Sequence, residues 1–142
     1  MAKQSPLRLL GFNLKNIEAM KNPDFQGQIE IKSNINLNNI EKHKLDLAKQ
    51  DALKIDFDFD ISYAEDKLGK ISLKGTLFIS SEPKIQKQIL NQWKDKKLDS
   101  EYYVAILNII VQKTSLKAFK LEEELGLPIH VQLPRLAREQ NK

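Results

Sequence analysis

Three aspartates, Asp56, Asp58 and Asp60, fall at every second position of the segment LKIDFDFDISY. In an extended chain that spacing puts three carboxylates on one face, where they could meet a divalent cation. No fourth ligand follows nearby, however, and a half-buried strand needs polar side chains on its wet face in any case. His43 and His130 are far apart, and neither sits at a metal-binding spacing or beside a Glu-x-x-His partner. The chain has no cysteine, no Gly-x-Ser-x-Gly nucleophile turn and no glycine-rich phosphate loop. These absences point away from an enzyme and imply neither a metal nor a cofactor. Trp93 stands among Lys84, Lys87, Lys94, Lys96 and Lys97. It could stack on a nucleobase while the lysines meet phosphates, or pack its ring on the core while the lysines face water. Glu122, Glu123 and Glu124 place three negative charges at the end of a helix, against its dipole, costing a few tenths of a kcal/mol each. The run reads either as a partner surface or as solvated decoration.

The element that carries the glutamates organises the chain. Asp99 and Ser100 can cap a helix start, and Glu101 complements the dipole. Tyr103, Leu107, Ile110, Thr114, Ala118, Leu121 and Leu125 then recur every three to four residues as an inward stripe. Gly126 stops the helix and Pro128 prevents its resumption. Between Val104 and Val111 only Asn108 is polar, so the apolar arc is wider than one sheet face requires. It implies either a second covering surface or a helix sunk in its own core. The run is far shorter than the roughly 20 residues needed to cross a membrane.

The elements before this helix alternate. Leu10, Phe12 and Leu14 are followed by Ile17 out of step, which a bulge near Lys15 or Asn16 would reconcile. Ile29, Ile31, Ile35 and Leu37 occupy odd positions against polar even ones. Residues 38–51 are polar and read as a connection. Leu53, Ile55, Phe57, Phe59, Ile61 and Tyr63 alternate without a break, and Ile71, Leu73, Leu77 and Ile79 follow after a turn, with Gly75 interrupting the row. These last two segments form a hairpin. A short amphipathic helix comes next, with Pro83 in its first turn and Ile85, Ile89, Leu90 and Trp93 on one side. The expected fold is α+β: about four antiparallel strands in succession, then a short and a long helix packed on one face.

Composition sets the frame. The chain has 142 residues, 41% hydrophobic and 30% charged, with a net charge of +4, which fits one domain over residues 1–142 with a genuine core. The start MAKQSPLRLLGF lacks the apolar run of a secretory signal, so a cytoplasmic location is expected.

A bulged first segment FNLKNIEAM, a hairpin, a short helix, a long helix and then LPIHVQLPRL resemble the layout of the SecB family of export chaperones. Lys15, Asn16 and Ile17 approximate the family's Lys-Asp-Ile-Ser-type segment. Leu127 and Pro128, then Leu133 and Pro134, match its Phe-Pro-x-Leu-x-Leu-Ala-Pro segment. The resemblance implies an ATP-independent holdase that takes unfolded polypeptides into apolar grooves. It also implies a homotetramer packed through the long helices, with Tyr103, Ile106, Ile109 and Ile110 at the interface. Candidate polypeptide-binding residues are Tyr102, Leu127, Ile129, Val131 and Leu133. The alternatives are a nucleic-acid or ribosome-associated binder using Trp93 and its lysines, and a plain assembly subunit with one tight partner.

Overall fold

The computed structural model describes residues 7–45 and 50–130. Four strands, β1 (Arg8–Lys21), β2 (Ile31–Leu45), β3 (Gln50–Tyr63) and β4 (Gly69–Ser80), precede two helices, α1 (Pro83–Lys94) and α2 (Ser100–Leu125). The strands form one antiparallel sheet in the order β1-β4-β3-β2. In β3 and β4 the alternation read from the sequence becomes two faces. Leu53, Ile55, Phe57, Phe59, Ile61 and Tyr63, with Ile71, Leu73, Leu77 and Ile79, are buried under the helices together with Ile89, Ile106 and Ile110. The α+β architecture with both helices on one face is therefore the one observed. α1 packs against β2, and α2 against β1 and β4.

The strands do not follow one another across the sheet. β1 joins β4, so residues 22–30 must pass the end of the β3–β4 hairpin to reach β2 at the opposite edge. Two backbone bonds hold that crossing: Asn22 N–H donates to the Leu68 carbonyl at 2.6 Å and Ala64 N–H to the Glu30 carbonyl at 2.8 Å.

The expected bulge in β1 is present. The register with β4 shifts between Leu14 and Asn16, and again between Leu9 and Gly11. With Lys15 as the extra residue, Leu14 lies opposite Gly75 and Ile17 opposite Leu73, so both turn to the helix-covered face. A bulge also explains a strand that the sequence pattern hid. Residues 38–51 are not a connection: β2 runs on to Leu45 and β3 begins at Gln50. A register shift between Leu37 and Asn39 moves Ile40 opposite Ile55, where it is 3% exposed. One extra residue reverses the face of everything after it, which breaks a period-two pattern without ending the strand. The Leu45 and Leu47 side chains lie outside the described residues.

On the wet face Asp56 accepts hydrogen bonds from Thr76 Oγ1 at 2.7 Å and Lys15 Nζ at 3.1 Å, and Asp60 accepts one from Ser72. Desolvation pushes the Asp56 carboxyl up, but the bonds from Thr76 and Lys15 and the charges of Lys15 and Lys54 outweigh it and hold it below the usual carboxylate range. Asp56 and Asp60 are thus engaged by side chains of their own sheet, and no group of three side chains that could hold a metal ion occurs among the described residues.

Gly75 is where the sheet admits its largest inward neighbour. A Cβ there would lie 2.6 Å from the Asn13 carbonyl oxygen and 2.9 Å from Phe57 Cζ, and the Phe57 ring is itself stacked on Phe12 with centroids 5.5 Å apart. Gly75→Val should therefore destabilise the fold by about 2–3 kcal/mol through overpacking, read as a lowered urea midpoint with unchanged slope.

Candidate functional site

The functional surface follows from how α2 lies on the sheet. Its buried residues are Tyr102, Ile106, Ile110, Thr114, Ala118 and Glu122, an unbroken step of four. Such a row is inclined to the helix axis by roughly 26°, so the side of α2 turned to the sheet shifts steadily from its first half to its second. The inward stripe expected from Tyr103 and Leu107 shares Ile110, Thr114 and Ala118 with this row but is displaced at both ends. Tyr103 is 41% exposed, and the last buried position is a glutamate instead of Leu121 or Leu125. The helix start also differs from expectation: Asp99 holds the N-cap position without a side-chain capping bond. The stop is as expected. Gly126 takes the left-handed conformation at φ 71° and ψ 30°, and Leu127 N–H returns to the Glu122 carbonyl at 2.8 Å, the six-to-one bond of a Schellman end.

Glu122 is fully buried, which corrects the reading of the three glutamates as one surface feature; Glu123 and Glu124 are exposed. Its carboxylate accepts the Tyr63 hydroxyl from the centre of the sheet and the His130 backbone N–H at 3.0 Å. His130 Nδ1 lies 3.0 Å from both carboxylate oxygens, and Nε2 faces Ser115 Oγ at 3.4 Å. Burial, followed by the bond to Glu122 and its charge, pushes the Tyr63 phenol far above its ordinary value. This cluster ties the chain after α2 to the sheet.

The candidate binding residues from the sequence do not form one site. Tyr102 is buried, and its hydroxyl donates to Gln88 Oε1 at 2.6 Å, joining α2 to α1. Leu127 is 5% exposed while Ile129 is 44% exposed, so the alternation after Gly126 does not turn both to one accessible side. Val131 and Leu133 lie outside the described residues. Of the expected interface residues, Ile106 and Ile110 are fully buried within the chain and are core. Ile109 is half-buried and Tyr103 exposed. Val104 at 51% and Val111 at 38% exposure extend the open apolar face of the first half of α2, while Ile106 and Ile110 of the same arc are sunk in the core. Trp93 is half-buried against the core, and Lys96 Nζ sits 3.9 Å from its ring centroid. Its ring is occupied by the protein's own cation.

A different site emerges where the helix leaves β1 uncovered. An open groove of about 810 Å³ runs between β1 and the second half of α2. Phe12, Leu14 and Ile17 form one wall, and Leu116 and Phe119 the other. Leu116 is 71% and Ile17 44% exposed, values uncommon for such side chains unless a partner covers them. Lys113, Lys117 and Lys120 stand along the helix rim with Glu123 at one end. Lys21 Nζ binds the Gly126 carbonyl at 3.2 Å, fixing the end of β1 to the end of α2. The sequence signals were Ile17 falling out of step and Leu116 outside the inward stripe, but neither names the other as neighbour.

No family model matches the chain, and neither does any curated protein. Among solved structures it is similar to the SecB-like chaperone Rv1957 of Mycobacterium tuberculosis, in complex with a ChAD peptide from the Rv1956 HigA1 antitoxin. Identity is 11%, the likeness covers 95% of this chain and 94% of that one, and the TM-score is 0.49. No helix among the described residues is long and apolar enough to cross a membrane.

The Glu122 cluster has a measurable pH signature. Because the Tyr63 phenol is held protonated in the fold, its contribution to stability is present in full below the ordinary value of 10.0 and is lost as pH climbs above it. Urea midpoints of the wild type should fall more steeply above that pH than those of Tyr63→Phe. At neutral pH Glu122→Ala, which leaves Tyr63 and His130 without an acceptor, should cost about 2–4 kcal/mol.

Proposed function

We propose that this protein is an ATP-independent molecular chaperone of the holdase type, binding apolar stretches of unfolded polypeptide in the groove between β1 and α2. The groove itself carries the reading: five large apolar side chains line an open trough beside an edge strand. An unfolded chain exposes side chains of the same kind. Each one transferred fully from water contributes roughly 1.5–3 kcal/mol, so a few suffice for micromolar binding after the entropic cost of association. An open trough of aliphatic and phenyl groups makes little demand on client shape, as a holdase requires, and binding and release involve no covalent step.

The reading extends to assembly. Tyr103, Val104 and Val111 form an apolar strip on the outward side of α2, distinct from the groove, and its best cover is another copy of the same helix. A homo-oligomer, a tetramer if two such contacts combine, would bring several grooves to one client and raise avidity.

Two experiments test these statements. Light scattering of an aggregating unfolded client, without ATP, should be suppressed by near-stoichiometric protein, and Ile17→Asp with Leu116→Asp should remove most of that effect while the far-ultraviolet spectrum stays native. Suppression by the double variant equal to wild type would refute the groove as the client site. In sedimentation velocity, Val104→Asp with Val111→Asp should convert the assembly to folded monomer.

A further inference from the structure

The groove has a charge as well as a shape. Lys113, Lys117 and Lys120 follow one another at steps of four and three residues along the rim of α2, with Glu123 as the one opposing charge in the lining. Among the described residues no ion pair holds any of the three; the ion-paired lysines are Lys15, Lys32, Lys42 and Lys54. Like charges at such spacings weaken a helix, and of the three only Lys120 has acidic residues, Glu123 and Glu124, at an offsetting spacing on α2. Opposite it, β1 contributes Asn13 and apolar side chains, while Lys15 is engaged with Asp56.

We infer that the groove prefers client segments in which acidic side chains alternate with large apolar ones. This rests on the groove being the client site. In an extended segment lying along α2, one set of side chains recurs every two residues, roughly 6.7 Å apart. The lysine row advances roughly 6 Å from Lys113 to Lys117 and roughly 4.5 Å from Lys117 to Lys120, and flexible lysine stems span the difference, so aspartates or glutamates at alternate positions can follow it while the apolar set enters the trough. Lysine stems are long and flexible and their heads stay hydrated at the rim, so the charge selects composition without fixing a sequence. A polynucleotide fits less well. Phe12 already has one face stacked on Phe57, and Leu14, Ile17 and Leu116 offer no flat surface to a base.

The test uses three short labelled peptides with the same alternating leucines and with Asp, Ser or Lys between them, titrated into the full-length protein by fluorescence anisotropy. At ~0.05 M salt the Asp peptide should bind about tenfold tighter than the Ser peptide and the Lys peptide weaker than both. The spread should collapse at ~1 M salt, where screening acts within roughly 3 Å. Lys113→Gln/Lys117→Gln/Lys120→Gln should bring the Asp peptide down to the level of the Ser peptide. Equal binding of all three peptides, or tighter binding of the Lys peptide, overturns the preference and leaves the groove as client site. Binding of none, with a single-stranded oligonucleotide bound in their place, overturns both.

Discussion

The packing of one row of α2, from Tyr102 in steps of four to Glu122, against the sheet decides most of what this protein presents to its surroundings. A row at steps of four winds slowly around its helix, and the strands beneath it are themselves twisted. Its two halves therefore expose different sides: Tyr103, Val104 and Val111 point away from the sheet in the first half, and Leu116 and Phe119 lean over β1 in the second. Four strands of 12 to 15 residues offer more apolar surface than this helix and the 12-residue α1 can close. The uncovered remainder is a trough along an edge strand, and a binding function needs surface of that kind.

Specific features keep the trough from collapsing. The bulge at Lys15 turns Leu14 and Ile17 to the helix-covered side, where Leu14 packs against the core and Ile17 stays 44% exposed. At the far end of α2, the Glu122 carboxylate gathers Tyr63, the His130 backbone and the His130 ring around itself, and Lys21 ties β1 to Gly126. A buried carboxylate is tolerated because its acceptor capacity is filled; left alone it would be among the costliest groups in the molecule. These contacts fix the angle between helix and sheet, so the groove width is a property of the fold.

In the proposed client site, apolar walls would supply affinity with little discrimination, and charges at the rim would add preference without demanding a sequence, because exposed pairs contribute little each and only act as a set. Asp56 and Asp60 on the opposite sheet face, by contrast, are held by Thr76, Lys15 and Ser72 of their own sheet.

What the sequence determined by itself were the features set by local period and sterics: the two-residue alternation of β3 and β4, the bulge at Lys15, the first turn at Pro83, the stop at Gly126 and the surplus of apolar residues between Val104 and Val111. Each rests on residues close together in the chain. Tertiary structure alone decided the rest. It paired β1 with β4, carried β2 through a bulge that broke its alternation, put Glu122 in the core while its two neighbours stayed in water, and brought Ile17 beside Leu116. It also placed inside the chain Tyr102 and Leu127, expected to bind polypeptide, and Ile106 and Ile110, expected at an interface between copies. Periodicity tells which residues share a face of their own element, but which part of that face is covered depends on the angle at which elements cross. That angle is fixed by contacts between residues as distant in sequence as Tyr63 and Glu122.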